Sequence, residues 1–299
     1  NGCGKIYKRV LRGESDSGRM EGVMEKPLVS IIVPTRDRAF FTENVLRNFY
    51  RQTYPQNRME LLIYEDGASS MKEHLPKDKR IKYYHSKSKT PLSIGKKRNK
   101  LCSLAKGEII VQMDDDDFYP PTCVSHIVKR LTPKKYEVAC LDDLYVYDLK
   151  QDKTIAHVKL RNPTHILGFK KSYLNRHKFR NEDRVCEESF FLERGKTKIT
   201  TAEGKKCLLM IAHYTNVSEK EFYFTPQTQT RLTLESFMKE KEDLIFFKEK
   251  IGQEIIRSNY YENNPEEQTW LLDSMGKTFN FMAACGAAER KEREREREQ

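Results

Sequence analysis

The chain opens its readable pattern at Pro27. Leu28-Val29-Ser30-Ile31-Ile32-Val33 is a short β-branched run stopped by Pro34, the pattern of a buried strand. Phe41, Val45, Leu46, Phe49 and Tyr50 then recur at helical spacing, and Pro55 closes that region. Glu60 to Tyr64 predicts a second strand ending at Glu65-Asp66-Gly67, a turn signal. Arg80 to His85 predicts a third. Ser93 is placed to cap a helix carrying Ile94, Leu101, Leu104 and Ala105, which Gly107 ends. Glu108 to Met113 predicts a fourth strand, running straight into Asp114-Asp115-Asp116-Asp117. Pro120-Pro121 opens another helix, with Val124, Ile127, Val128 and Leu131 on one face.

Alternation of strand and helix implies an α/β fold with a mainly parallel sheet flanked by helices. Ligands in such sheets bind beyond the carboxyl ends of the strands. Three loops with reactive side chains sit at such ends: after Val33, after Tyr64 and after Met113. The second half is less regular. Glu137 to Leu141, Leu144 to Asp148 and Thr164 to Lys170 read as strands, and Thr230 to Ile256 is helix-rich. The expected organisation is a mobile polar leader over 1–26, a main domain over 27–228, a helical C-terminal extension over 229–286 and a charged low-complexity tail over 287–299.

Composition narrows the partners. The 299 residues carry a formal net charge of +11, which favours anionic partners without choosing among them. No stretch approaches the ~20 apolar residues of a membrane span. The start has no apolar h-region of a secretory signal. Seven Cys, an odd number with no C-x-x-C pair, read as reduced thiols of a cytosolic protein.

The chemistry lies in the loops. Four adjacent carboxylates repel one another unless a cation is present, and hard oxygen ligands suit Mg²⁺ or Mn²⁺. On an extended chain Asp114 and Asp116 face the same side and can share one ion. A solvated acidic turn is the alternative. In Pro34-Thr35-Arg36-Asp37-Arg38, Asp37 is either a helix N-cap or an acceptor for a base N–H or ribose hydroxyl. Asp66 has the same two readings, as a turn residue or as an acceptor. In Gly95-Lys96-Lys97-Arg98-Asn99, cations near a helix start can meet a diphosphate or form a plain basic face.

Val33 to Arg38, Glu65-Asp66-Gly67-Ala68-Ser69, Gly95 to Asn99 and Met113 to Asp117 come in the order and spacing of family 2 glycosyltransferases with a GT-A (Rossmann-like) fold. The chain resembles their V-P-T-x-N-R, D-D-G-S, G-x-x-R-N and D-x-D-D elements. Cys186-Glu187-Glu188-Ser189-Phe190-Phe191-Leu192 is similar to their E-D-x-x-F element. Ala212 to Ser218 is similar to their H-x-x-N-x-S element. The likeness spans roughly Pro27 to Ser218, and a narrower likeness points to enzymes of large DNA viruses and their relatives. Asp37 stands where Asn is common, Glu65 and Glu188 where Asp is common, and Cys186 where Gly is usual.

The resemblance implies inverting transfer of a sugar from a nucleoside diphosphate, UDP by family habit, to a hydroxyl on a glycan, protein or lipid. It implies Glu188 as base with Glu187 beside it. Asp116 becomes the main metal ligand, with Asp114 on ribose or metal and His213 near the ion. Pro34, Thr35, Arg36, Asp37, Arg38, Asp66, Lys97, Arg98, Asp114 and Asp115 line the nucleotide site. A cytoplasmic protein is expected, with peripheral membrane contact open and no specific nucleic acid. A sugar nucleotidyltransferase is the first rival, against which the loop Pro34 to Phe40 has no Gly. The others are a non-catalytic basic binding protein, suggested by clusters such as Lys77 to Lys89, and a catalytically dead domain of the same fold; the intact Asp116 and Glu188 speak against the last.

Overall fold

The computed structural model describes residues 25–86, 90–149, 155–163, 165–183, 187–192, 197–213, 215–216 and 220–251. The expected leader, except Glu25 and Lys26, and the charged tail lie outside these residues. So does most of the expected helical extension.

Elements follow in chain order: β1 (Val29–Thr35), α1 (Thr42–Tyr50), β2 (Met59–Glu65), β3 (Ile81–His85), α2 (Ile94–Leu104), β4 (Ile109–Gln112), α3 (Cys123–Leu131), β5 (Val138–Leu141), β6 (Asp143–Asp148) and β7 (Ala156–Lys159). Then come β8 (His165–Lys170), α4 (Glu187–Phe191), β9 (Ile199–Ala202), α5 (Gly204–Cys207), β10 (Met210–Ala212) and α6 (Lys241–Ile245). Among the described residues a seven-stranded sheet has the order β3-β2-β1-β4-β8-β5-β9, and a three-stranded one the order β10-β6-β7. The β1, β2, β3 and β4 pairings are parallel, as alternation of strand and helix demands. β8 enters antiparallel between β4 and β5.

Alternation within each strand builds two cores, because successive side chains leave opposite faces. Ile31, Val33, Leu61 and Ile63 pack with Val45 and Phe49 of α1 and Val124, Ile127 and Leu131 of α3. Ile32, Leu62 and Ile110 pack with Leu101 and Cys102 of α2 and with Tyr173, Phe179 and Phe191. Every residue of β1 and β2 is buried, which explains their mostly apolar runs, and the polar Ser30 and Glu60 within them hydrogen-bond to each other at 2.7 Å. A third cluster joins Phe41, Phe118, Leu209 and Ile211 to Phe237, Phe246 and Phe247, so the segment past residue 228 packs on the body of the fold.

The structure departs from the expected elements in places. β1 runs on through Pro34 to Thr35. Its pairing with β4 stops at Ile32, so Pro34 lies where β1 is an edge and a missing N–H is tolerated. β7 and β9 are short strands with no apolar run to announce them, while β10 is an unexpected strand within the apolar run Cys207 to Ala212. The helix-rich stretch from Thr230 holds a 3₁₀ turn (Leu234–Ser236), α6 and a π-helical turn (Phe246–Lys250), with residues past 251 outside the described set. Among the described residues no helix is long and apolar enough to cross a membrane. Cys102, Cys123, Cys140 and Cys207 are buried free thiols, as the odd cysteine count suggested.

Candidate active site

The carboxyl ends of β1, β2 and β4 bring the predicted loops together. Beyond β4 the chain bends at Asp115 to Asp117 instead of staying extended, so Asp114 and Asp116 acquire different partners. Asp115, Asp116 and Asp117 are buried, while the Asp114 side chain is 40% exposed. The alternative of a solvated acidic turn is thereby ruled out for three of the four acids.

A buried carboxylate requires a partner, and each of these has several. The Thr35 hydroxyl donates to Asp115 Oδ2 at 2.5 Å. Arg38 Nη1 lies 3.1 Å from Asp115 Oδ1 and 3.0 Å from Asp116 Oδ2, and its other nitrogen reaches the Thr215 carbonyl. Asp116 Oδ2 also faces His213 Nε2 and Asn216 Nδ2, each at 3.2 Å. Asp117 Oδ1 accepts from the Ile211 N–H at 2.8 Å and from Lys220 Nζ at 3.3 Å. Asn44 and Asn48 of α1 donate to the Asp115 and Asp117 carbonyls at 2.8 to 2.9 Å, fixing the bend itself.

This packing separates the acids electrostatically. Burial pushes Asp115 up to about 6 against the pull of Arg38, and Asp117 up to about 7 against Lys220. Burial acts the same way on Asp116, yet the His213 hydrogen bond and the charges of Lys220 and Arg38 outweigh it and hold Asp116 below the usual carboxylate range. Burial also pulls the His213 imidazole down to about 4, so the ring is neutral near pH 7. Its Nδ1 lies 3.2 Å from the Thr215 N–H and 3.0 Å from the Thr215 hydroxyl, and its Nε2 lies between Asp116 Oδ2 and the Asn216 amide nitrogen, 2.9 Å away.

The loops after β1 and β2 are held as tightly. Asp66 is fully buried. Its Oδ1 meets Lys97 Nζ at 3.0 Å, and its Oδ2 accepts from the Leu92 N–H at 2.6 Å. Arg36 donates to the Asp66 carbonyl at 2.7 Å. Asp37 is not a helix cap. It takes φ of 51°, and its carboxylate accepts from the Ser69 N–H at 2.7 Å, tying the β1 loop to the β2 loop. A Cβ on Gly67 would stand 2.3 Å from that carboxylate, so any other residue there would push the Asp37 side chain off its contact with Ser69. Ser93 does cap α2, accepting from the Lys96 N–H at 3.2 Å.

Glu65 is buried behind these loops. Its Oε1 accepts from the Asp37 and Gly67 N–H groups at 2.9 and 3.0 Å, while its Oε2 has no hydrogen-bond partner among the described residues. Burial pushes this carboxyl up to about 7 from 4.5. The folded state therefore binds the proton more tightly than the unfolded chain. The resulting stability is full below about pH 4.5 and is lost as pH rises through about 7. Glu65→Gln is expected to flatten that fall, checked by melting both proteins at about pH 5 and about pH 7.5. Parallel curves would contradict it.

Arg98 joins the two halves of the site. Its side chain is 7% exposed; Nη2 lies 3.3 Å from Asp114, and Nη1 lies 2.5 Å from Glu187 and 3.6 Å from Glu188. Burial raises the Glu187 and Glu188 carboxyls, Glu188 strongly, with Arg98 opposing and Asp114 adding to the rise. The Ile166 N–H donates to Glu188 Oε1 at 3.1 Å, and His165 Nδ1 lies 3.6 Å from Oε2. Burial takes His165 down to about 4.

Among the described residues no group of three or more His, Cys, Asp and Glu side chains stands ready to hold a metal ion. Asp114, Asp116 and His213 thus do not converge as a three-ligand set. The remaining set, one half-exposed and one buried carboxylate, fits Mg²⁺ or Mn²⁺ in kind, since such ions take one or two protein carboxylates and complete their shell with water and phosphate.

Sequence reasoning missed Asn44, Asn48, His165 and Lys220. The two asparagines left a signal, amides four apart on the buried face of an amphipathic helix. Lys220 left none, because a lone lysine in a polar stretch reads as surface.

Clustered acids and cations lie at the carboxyl ends of a parallel sheet, with a two-glutamate helix beside them, where ligands of such sheets bind. Residues 30–195 match the model of Glycosyl transferase family 2, and the chain belongs to that family. It is 31% identical over 101 residues to an uncharacterized glycosyltransferase of Rickettsia conorii, covering 32% of this chain and 16% of that protein. It is 26% identical over 122 residues to the putative glycosyltransferase EpsH of Bacillus subtilis, covering 39% and 34%. A Campylobacter jejuni GalNAc(5)-diNAcBac-PP-undecaprenol beta-1,3-glucosyltransferase is 32% identical over 96 residues, 30% of each chain. The chain thus spans only a minor part of the length of these curated relatives. Among solved structures, S. aureus TarS 1-349 in complex with UDP-GlcNAc superposes with TM-score 0.49 at 17% identity, over 63% of this chain and 60% of that one. The mannosyltransferase PcManGT of Pyrobaculum calidifontis, solved with GDP-Man and Mn²⁺, gives 0.49 at 18% identity, over 72% and 65%.

Proposed function

We propose that the chain moves a sugar from a nucleoside diphosphate sugar, UDP-linked by family habit, to a hydroxyl of a glycan, protein or lipid, with inversion at the anomeric carbon. The observation that carries this is the Arg98 bridge, which sets Asp114 and the Glu187-Glu188 pair around one guanidinium although they are far apart in the chain. A donor diphosphate and an acceptor base are needed on opposite sides of the reacting carbon. Acids of the two kinds on either side of Arg98 suit that division.

Glu188 is the base. Its raised affinity for a proton suits removal of the acceptor hydroxyl's proton as that oxygen attacks. Glu187, closer to Arg98, holds the cation and leaves Glu188 the more exposed of the pair. Asp114 and Asp116 are the residues that would hold Mn²⁺ or Mg²⁺, which when bound neutralises charge on the leaving diphosphate. His213 keeps Asp116 ionised and oriented. The loops at Pro34 to Arg38, Asp66, Lys97 and Asp115 form the nucleotide side, with Asp37 and Asp66 acting chiefly by fixing their neighbours. A cytoplasmic place, free or against a membrane face, goes with this reading. Kinship with viral enzymes stands on the sequence likeness alone, and the relatives described above are bacterial and archaeal.

A nucleoside diphosphate added with Mn²⁺ is expected to raise the melting temperature by several degrees, as about 2.7 kcal/mol of linkage at about 100 Kd implies. EDTA, Asp114→Asn or Asp116→Asn should each remove most of that shift. An equal shift with EDTA and in both variants would overturn the metal assignment.

A further inference from the structure

Glu188 is gripped by two consecutive residues at the start of β8. The Ile166 backbone N–H donates to its Oε1 at 3.1 Å. The preceding His165 sets Nδ1 3.6 Å from Oε2, too long for a hydrogen bond and too short to admit a water between them. His165 is itself fixed, because its backbone pairs with Leu141 in β5, just past the irregularity at Ala139 and Cys140. Its side chain is 24% exposed and that of Glu188 is 18%, so both reach the accessible side of the cluster. Hydrogen bonds around catalytic groups are often long before substrate arrives and tighten in the complex.

We propose that His165 is a positioning residue for the acceptor base: its Nδ1–H closes onto Glu188 Oε2 when substrates bind and fixes the carboxylate plane set by Ile166. This rests on Glu188 being the base. Oε1 is held by a backbone group that no side-chain exchange can remove. Orientation of the carboxylate about that anchor is then set by what Oε2 meets. Arg98 is 3.6 Å from Oε1 and closer to Glu187, so it balances charge without fixing that angle. Without the imidazole the carboxylate can swing about the Ile166 contact, and the reacting oxygen is no longer held towards the acceptor. Misplacement of this kind acts on the chemical step and not on donor binding.

The test compares His165→Ala, His165→Asn and Glu188→Gln in the full chain, with whichever nucleotide sugar is turned over. His165→Ala is expected to lower kcat about 10- to 100-fold with donor KM little changed. His165→Asn, whose amide nitrogen falls where Nδ1 was, should recover most of that loss. In the Glu188→Gln background His165→Ala should cost nothing more. Equal loss in the Ala and Asn variants, or kcat of His165→Ala near wild type while Glu188→Gln is inactive, overturns the positioning role. An active Glu188→Gln protein would instead show that the base itself was misassigned.

Discussion

Glu188→Gln is expected to lower the rate of sugar transfer by about 10²- to 10⁴-fold, the usual contribution of a positioned general base. Donor affinity should stay within a factor of about 3, because Glu188 meets the nucleotide side only through Arg98 at 3.6 Å, which Glu187 holds more closely at 2.5 Å. Folding should not suffer either. Burial and the negative neighbours Glu187 and Asp114 already raise the cost of charge at this carboxyl, so a neutral amide of the same shape relieves repulsion. The amide keeps an oxygen for the Ile166 N–H. Turnover, donor binding by calorimetry and a melting curve on one preparation separate these effects. Near wild-type turnover would move the base elsewhere, and Glu187 would be the next residue to test.

Arg38→Ala is expected to have the largest effect on stability, about 3 to 5 kcal/mol, as for other broken buried ion pairs. The guanidinium meets Asp115, Asp116 and the Thr215 carbonyl at once, and its side chain is 8% exposed. Its loss leaves two carboxylates buried against one another. Lysine should restore little, since one ammonium lacks the planar fork that serves three acceptors. The deficit should shrink as pH falls and the orphaned carboxylates take up protons. Urea midpoints at neutral and acidic pH measure both expectations. A variant within about 1 kcal/mol of wild type would show that Arg38 is not the cation the acidic run depends on.

Both expectations turn on how the acidic run folds, and that was only partly legible in the sequence. The apolar stretch Ile109 to Val111 announced a buried strand, and the strand does deliver the four aspartates to the sheet edge. Adjacency in sequence suggested carboxylates exposed together around a cation. The bend, held by Asn44 and Asn48, turns three of them inward to protein partners and leaves Asp114 the most open. Those partners come from Arg38, Ile211, His213, Asn216 and Lys220, and a one-dimensional pattern carries no record of such contacts. Likewise Asp37 and Asp66 were found as acidic loop residues, but their engagement by Ser69, Leu92 and Lys97 depends on loops from separate strands meeting. The strands β7 and β9 left no signal because four residues are too few to show a period, whereas β10 did leave one, the apolar run Cys207 to Ala212. The motif order, in contrast, survived intact: every loop singled out at a strand end lies in the cluster around Arg38, Lys97 and Arg98.

Cleavage of a sugar–diphosphate bond by this cluster is tested most directly by release of nucleoside diphosphate from a panel of UDP-, GDP- and TDP-linked sugars with Mn²⁺, run for the wild type and for Glu188→Gln. Wild type is expected to turn over at least one donor, and Glu188→Gln to release about 10²-fold less from the same donor. Equal release by both proteins, or binding of no nucleotide sugar by the folded wild type, would contradict it.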